Sequence, residues 1–280
     1  MSPGLRFGYG TNGFTGHRLP DALRVLAEMG YVGVALTLDH PHLDPFSAGL
    51  AREVEVTGRL LESLGMACVV ETGGRYVMDP RRKHEPTLVS PEGSDRRIDY
   101  LQRAVRVARD LGAEVTSFWS GEPAPGADLA AAEQRMLAGI AQVLVVAEGC
   151  DVRVSMEPEP GMLVDTVDRV WEVVDRLDRA ERLGITLDLG HVVCNEQRDV
   201  AAVVASAASR LWNVQVDDML PGVHEHLMFG DGALDLPLAL EALRDAGYAG
   251  LVSVELPRHS HAAPRVAEAS LRALREAEAA

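Results

Sequence analysis

The 280-residue sequence is poor in cysteine, with only Cys68, Cys150 and Cys194. They form no CxxC pair and cannot build a disulfide framework; an odd, sparse set fits a reducing compartment. A basic excess is also missing: 42 acidic residues face 27 basic ones, for a formal net charge of −15. Nucleic-acid binding needs a basic stripe that displaces counterions, so this balance argues against such a partner. Lysine is almost absent. Lys83 stands alone among arginines, and a single survivor of an arginine-biased usage hints at chemistry. The N-terminal stretch MSPGLRFGYG lacks the apolar core of a signal peptide. No apolar run is expected to reach the length of a membrane span. These absences lead to the expectation of a cytoplasmic protein with no membrane partner. No GxGxxG follows the first strand-like run, which weakens a dinucleotide-binding reading.

What is present is a chain 47% hydrophobic, enough to bury one large core. Short β-rich runs alternate with amphipathic helical runs, eight of each. The strand-like runs are 7–10, 32–38, 66–71, 115–119, 152–157, 185–189, 211–216 and 251–256. Most are apolar throughout, as in parallel strands covered on both faces. Ser47, Asp128, Asp165 and Asp235 stand where helix N-caps belong, and Gly65, Gly149 and Gly247 where helices stop. Met29-Gly30-Tyr31-Val32-Gly33-Val34 recurs as Ala246-Gly247-Tyr248-Ala249-Gly250-Leu251, each a helix stop, a tight turn and a strand. The pattern predicts an α/β fold, a (β/α)8 TIM barrel forming one domain over 1–280. Its longest loop, about 72–93, has the glycines and prolines of an ordered lid.

The nine histidines all fall just past the C-terminal ends of these strands, outside any expected helix, and the loops on the opposite face have none. Barrel active sites are built at that C-terminal face. Three carboxylates close strand-like runs there: Glu157, Asp188 and Glu255. Buried at one rim they would repel one another unless paired, protonated or bound to a cation, which is the physical case for a divalent metal. Oxygen-rich ligation suits Mn²⁺, Mg²⁺ or Co²⁺, and an added imidazole widens the choice to Zn²⁺ or Fe²⁺.

Here the sequence resembles the xylose-isomerase-like barrel superfamily of sugar isomerases and epimerases, inosose dehydratases and AP endonucleases. The matching residues are Glu157 in Ser-Met-Glu-Pro, Asp188 and His191 in Leu-Asp-Leu-Gly-His, His226 with Gly230-Asp231-Gly232, Glu255 in Val-Ser-Val-Glu-Leu, and Tyr248. The resemblance implies one metal ion held at the ends of strands five to eight, by Glu157, Asp188, Gln215 and Glu255. Gln215 stands where the family usually has histidine. An amide oxygen ligates a hard cation, which favours Mn²⁺ over Zn²⁺ and leaves room for His224 or His226 to add a nitrogen. The histidines that a three-zinc endonuclease needs at strands two and three have no counterpart.

The resemblance further implies an isomerase or epimerase acting on a sugar, sugar phosphate or cyclitol. Glu157 and Glu255 would be the catalytic pair, one removing a proton next to a carbonyl and the other returning it. His191, His224, His226, Trp119, Lys83 and Arg258 form the expected substrate-binding set. Arg75, Arg81, Arg82 and Lys83 either clamp a substrate phosphate or carboxylate or are a solvated loop. A keto-inositol dehydratase, a metal-dependent hydrolase and a non-catalytic binding protein are the alternatives. Relatives often assemble as dimers or tetramers, so a homo-oligomer is allowed.

Overall fold

A computed structural model describes residues 4–280; the first three residues of the N-terminal stretch and of the expected 1–280 domain lie outside it. Eight parallel strands close into a barrel: β1 (Arg6–Gly10), β2 (Gly33–Thr37), β3 (Ala67–Glu71), β4 (Thr116–Trp119), β5 (Val154–Glu157), β6 (Leu183–Asp188), β7 (Leu211–Val216) and, after a two-stranded hairpin of β8 (Asp218–Leu220) and β9 (Val223–Leu227), β10 (Leu251–Val254). The expected barrel is therefore present. The hairpin, which no expected strand covers, is an addition to it. Around the barrel run α1 (Leu19–Met29), α2 (Leu50–Leu64), α3 (Ser94–Leu111), α4 (Leu129–Cys150), α5 (Val167–Asp175), α6 (Leu189–Asn195), α7 (Val200–Ala207), α8 (Leu236–Asp245) and α9 (Ala263–Glu278). Two helices, α6 and α7, share the crossover from β6 to β7, where one was expected.

Period-two alternation along the strands sorts the core. Outward residues such as Val154, Met156, Val214, Val216, Val252 and Val254 are buried against the helices. Inside, Ala35, Val69, Val115 and Leu251 form a small apolar floor. Above it lies a polar layer. Thr186 Oγ1 meets Ser155 Oγ at 2.6 Å and Ser117 Oγ at 2.9 Å, and Asn213 Nδ2 donates to Glu71 Oε1 at 2.9 Å. Two residues further along the same strands come Trp119, Glu157, Asp188 and Gln215, so the period that faces the layer inward also aims these side chains into the mouth.

Helix ends follow the expected chemistry in part. Asp128 caps α4 by accepting from Ala130 and Ala131, and Asp235 caps α8 by accepting from Leu238. Thr166, not Asp165, caps α5. Gly49 precedes α2, while Ser47 accepts from Gly49 N one turn earlier. The stop of α4 falls at Asp151 in the left-handed conformation, with Gly149 inside the helix. α4 also corrects the expectation about apolar runs, since its 22 residues are long and apolar enough to cross a membrane. In this fold it packs on α3, with Met136, Ile140, Val143 and Leu144 buried.

The connection from β3 to α3, residues 72–93, carries no regular structure and is held from below. Arg97, buried on α3, donates to Pro86 O at 3.0 Å and Thr72 O at 3.1 Å, and its third nitrogen reaches His84 O. Its guanidinium lies over the Trp119 ring at 4.5 Å. The 72–93 loop is thus folded around an arginine.

Candidate active site

A cavity of about 660 Å³ opens at the C-terminal mouth, lined by Glu157, Glu255, Gln215, His191, His226 and the lid among others. A second, of about 610 Å³, lies at the opposite end around Arg6, Arg153, Trp212 and Tyr248. The carboxylates and imidazoles of interest gather only in the first.

Glu157, Asp188 and Glu255 each offer an oxygen, and these oxygens lie within 4.8 Å of one another. Asp188 is the hinge of this group. One oxygen caps α6, accepting from Gly190 N at 2.7 Å and His191 N at 3.2 Å. The other, Oδ2, is buried with no partner. Gln215 pairs with Asp188 in the β6–β7 register, and its Oε1 is likewise buried and unpartnered. Two adjacent orphaned oxygens beside two more carboxylates are costly unless a cation sits among them. The donor set therefore fits a divalent metal, with Glu157, Asp188, Gln215 and Glu255 as the residues able to hold it. Asn12 Nδ2 donates to Glu255 Oε1 at 2.8 Å and fixes that side chain.

Burial is the first cause of the electrostatics here. It raises the carboxyls of Glu157, Asp188 and Glu255 above the usual range; neighbouring carboxylates add to it at Glu157 and Glu255, while His226 and the backbone N–H groups of α6 oppose it at Asp188. Glu71 and Glu159 go the same way, each pushed up to about 8 by burial and then by Glu255. Crowded carboxylates hold protons or a metal rather than several bare charges.

Three imidazoles complete the wall. His191 lies within α6 and not in a loop. Its Nδ1 is 3.4 Å from Glu157 Oε1, and its Nε2 is 3.1 Å from His224 Nε2. Burial holds His191 well below its ordinary value, and His224 falls to about 4 by burial and the neighbouring histidines. His224 and His226 come from β9, on the hairpin. His226 Nδ1 is hydrogen-bonded to Asp217 Oδ2. Burial opposes a charge on His226, but the bond to Asp217 and the nearby carboxylates outweigh it and lift the imidazole to about 10. Asp188, Asp217 and His226 form a second close donor group, and His191, His224 and His226 a third. His259 and His261 sit in the short 3₁₀ turn Pro257–Ala262. The expectation that no histidine lies in a helix is thus corrected for three of them, though all nine remain at the mouth end.

The structure brings Trp119, Lys83 and Arg258 to the same cavity. Arg258 is ion-paired with Glu225. Arg75 also lines the cavity but is held by Asp39 at 2.8 Å, and Arg82 turns to Asp79 at 2.8 Å. The lid's basic residues are therefore not gathered on one ligand position. Sequence reasoning passed over Glu71, Glu159, Asp217 and Asn12. Glu71 carried the same signal as the three chosen carboxylates, a charge closing an apolar strand. Gly190 explains itself only in three dimensions: a Cβ there would overlap the Asp217 carboxylate.

A closed parallel barrel with a metal-competent carboxylate and imidazole mouth defines the class. The xylose isomerase-like TIM barrel family matches residues 23–277, and the chain belongs to it. Among proteins similar in sequence is the L-ribulose-5-phosphate 3-epimerase UlaE of Shigella flexneri, 22% identical over 191 residues, 67% of this chain and 66% of that one. Among solved structures, D-allulose 3-epimerase from Methylomonas sp. superposes with a TM-score of 0.76 at 17% identity, covering 98% of each chain. The IOLI protein, solved with a bound zinc atom, gives 0.75 at 15% identity and 98% of each chain. At these identities the structural likeness establishes the fold.

Proposed function

We propose that this chain is a divalent-metal-dependent epimerase or isomerase that moves a proton at the carbon next to a sugar or cyclitol carbonyl. The observation that carries the reading is the convergence of Glu157, Asp188 and Glu255 with the unpartnered, buried Gln215 and Asp188 oxygens. The related proteins named as sugar epimerases support it. A bound ion at these four residues would supply positive charge that polarises the carbonyl and acidifies the adjacent C–H. Mn²⁺ suits the oxygen-rich set best, with Mg²⁺ and Co²⁺ close behind and Zn²⁺ favoured only if His226 or His224 joins.

The residues then divide the work. Glu157 and Glu255 stand on different walls of the mouth, so one can take a proton from one face of the substrate carbon and the other return one to the opposite face or to the neighbouring carbon. Burial suits the pair to this, because two buried carboxyls this close share protons more readily than they bear two charges. Asn12 orients Glu255. His191, neutral through burial, can donate to or accept from a substrate hydroxyl beside Glu157. Trp119, backed by Arg97, offers an apolar face to the sugar carbons.

The test is solvent exchange. Metal-loaded protein in heavy water should place deuterium next to the carbonyl of a ketose or inosose. Glu157→Gln and Glu255→Gln should each slow that exchange roughly 10²–10⁴-fold, the ordinary worth of a positioned acid or base. Deuterium entering none of these compounds refutes the reading.

A further inference from the structure

The reading just given leaves open whether the sugar carries a phosphate. We propose that the mouth takes an uncharged ketose and rejects its phosphorylated form; this rests on the mouth being a sugar site.

Barrels that bind phosphate commonly do so with backbone N–H groups of the loops after the last two strands, ahead of a helix N-terminus. In this chain that place is the loop between the hairpin and α8. Its donors are already used. Gly230 N and Gly232 N donate to Asp218 Oδ2 at 2.9 and 3.0 Å, and Leu234 N donates to Asp218 Oδ1 at 2.8 Å. Asp231 N and Ala233 N are bonded to the carbonyls of Met228 and Met219 at 3.0 and 2.9 Å. The first turn of α8 is capped by Asp235. Asp218 is 1% exposed, and a Cβ at Gly232 would overlap its carboxylate. The chain's own anion therefore fills the cradle in which a phosphate would sit. After β10, Pro257 has no N–H to offer, and His259 N is bonded to Leu256 O at 3.1 Å.

The side chains give the same answer independently. Six carboxyl groups line the cavity, Glu71, Glu122, Glu157, Glu159, Glu225 and Glu255, against the cations Arg75, Lys83 and Arg258 and the His226 imidazole, which Asp217 already holds. Two of the cations are committed, Arg75 to Asp39 and Arg258 to Glu225. Lys83 alone has no carboxylate within ion-pair distance among the described residues. A divalent ion spent on Glu157, Asp188 and Glu255 leaves no positive surplus for a dianion. Hydroxyl groups, in contrast, suit a wall of carboxyl groups and imidazoles, because a hydroxyl both donates to and accepts from such partners.

The experiment is calorimetric titration of the metal-loaded full chain with D-ribulose, D-fructose and D-allulose and with the terminal phosphate of each, run beside deuterium exchange on the same compounds. At least one free ketose should bind, with its phosphate at least 100-fold weaker. A phosphate that binds as tightly as its free ketose, or tighter, overturns the proposal, and so does failure of every free ketose to bind. Free ketoses that bind but exchange no deuterium leave this proposal standing and sink the epimerase reading instead. In Lys83→Met the ratio should stay within about threefold; a collapse of phosphate affinity alone would make Lys83 a phosphate clamp and overturn the proposal.

Discussion

Gln215 decides which metals the mouth can prefer. Its amide oxygen is a weaker donor to a borderline cation than imidazole, so Gln215→His should tighten Zn²⁺ binding by about tenfold, the low end of what one ligand change does. Competition against a chromophoric chelator reads this directly, and an unchanged Kd would remove Gln215 from the ligand set. At the same scale, the sequence disclosed Glu157, Asp188 and Glu255 because each is a charge ending an apolar run. It also carried a stronger signal that went unread. Ser155-Met156-Glu157, Thr186-Leu187-Asp188, Asn213-Val214-Gln215 and Ser253-Val254-Glu255 repeat polar–apolar–polar at the ends of four strands. In the structure the first member of each triplet is buried within the barrel and the third lines or adjoins its mouth. Glu159 and Asp217 could not be found this way. They lie beyond strand ends, where only the closing of the barrel decides which loop residues meet.

Among the elements, the lid and the hairpin behave differently. The eight barrel strands were legible because each is apolar and bounded by turn residues, with errors of at most two positions at their ends. The β8–β9 hairpin was not, since Val223–Leu227 sets three consecutive polar residues, His224-Glu225-His226, between its apolar ends, and β8 follows β7 with only Asp217 between. Its pairing depends on Asp218 being held by the next loop. For the 72–93 loop, what holds it was not legible. Arg97 satisfies the carbonyls of Thr72, Pro86 and His84 without any carboxylate in hydrogen-bond contact. Arg97→Met should orphan all three, at about 1 kcal/mol or more each, and lower Tm by roughly 5–10 °C, taking about 2–4 °C per kcal/mol for a domain of this size. Hydrogen exchange of 72–93 should accelerate while that of the barrel strands does not. Equal acceleration in both would mean that Arg97 supports the barrel rather than the lid.

For the whole molecule, the crowded carboxyls set how stability responds to pH. Glu71 and Glu159 ionise near 4.5 in the unfolded chain and near 8 in the fold, and His226 holds its proton to about 10. Above pH 6.5 the unfolded chain therefore binds fewer protons than the native one, and stability falls as pH rises; each retained proton is worth about 1.4 kcal/mol per pH unit at most. Below 6.5 the neutral buried His84 and His224, both near 4, pull the other way. With metal chelated, the denaturation midpoint should drop between pH 6.5 and 8. Saturating Mn²⁺, which binds the deprotonated donors, should abolish or reverse that drop. A midpoint that climbs over this range without metal contradicts the assigned shifts.

The solitary Lys83 has one more consequence at this scale. It is exposed on the lid and lines the mouth cavity, and apart from the amino terminus it is the chain's one primary amine. An amine-directed fluorophore will therefore attach at the doorway of the cavity and nowhere else on a side chain, where its emission senses whatever enters. The arginine-rich composition has in effect installed a single-point optical probe beside the chemistry.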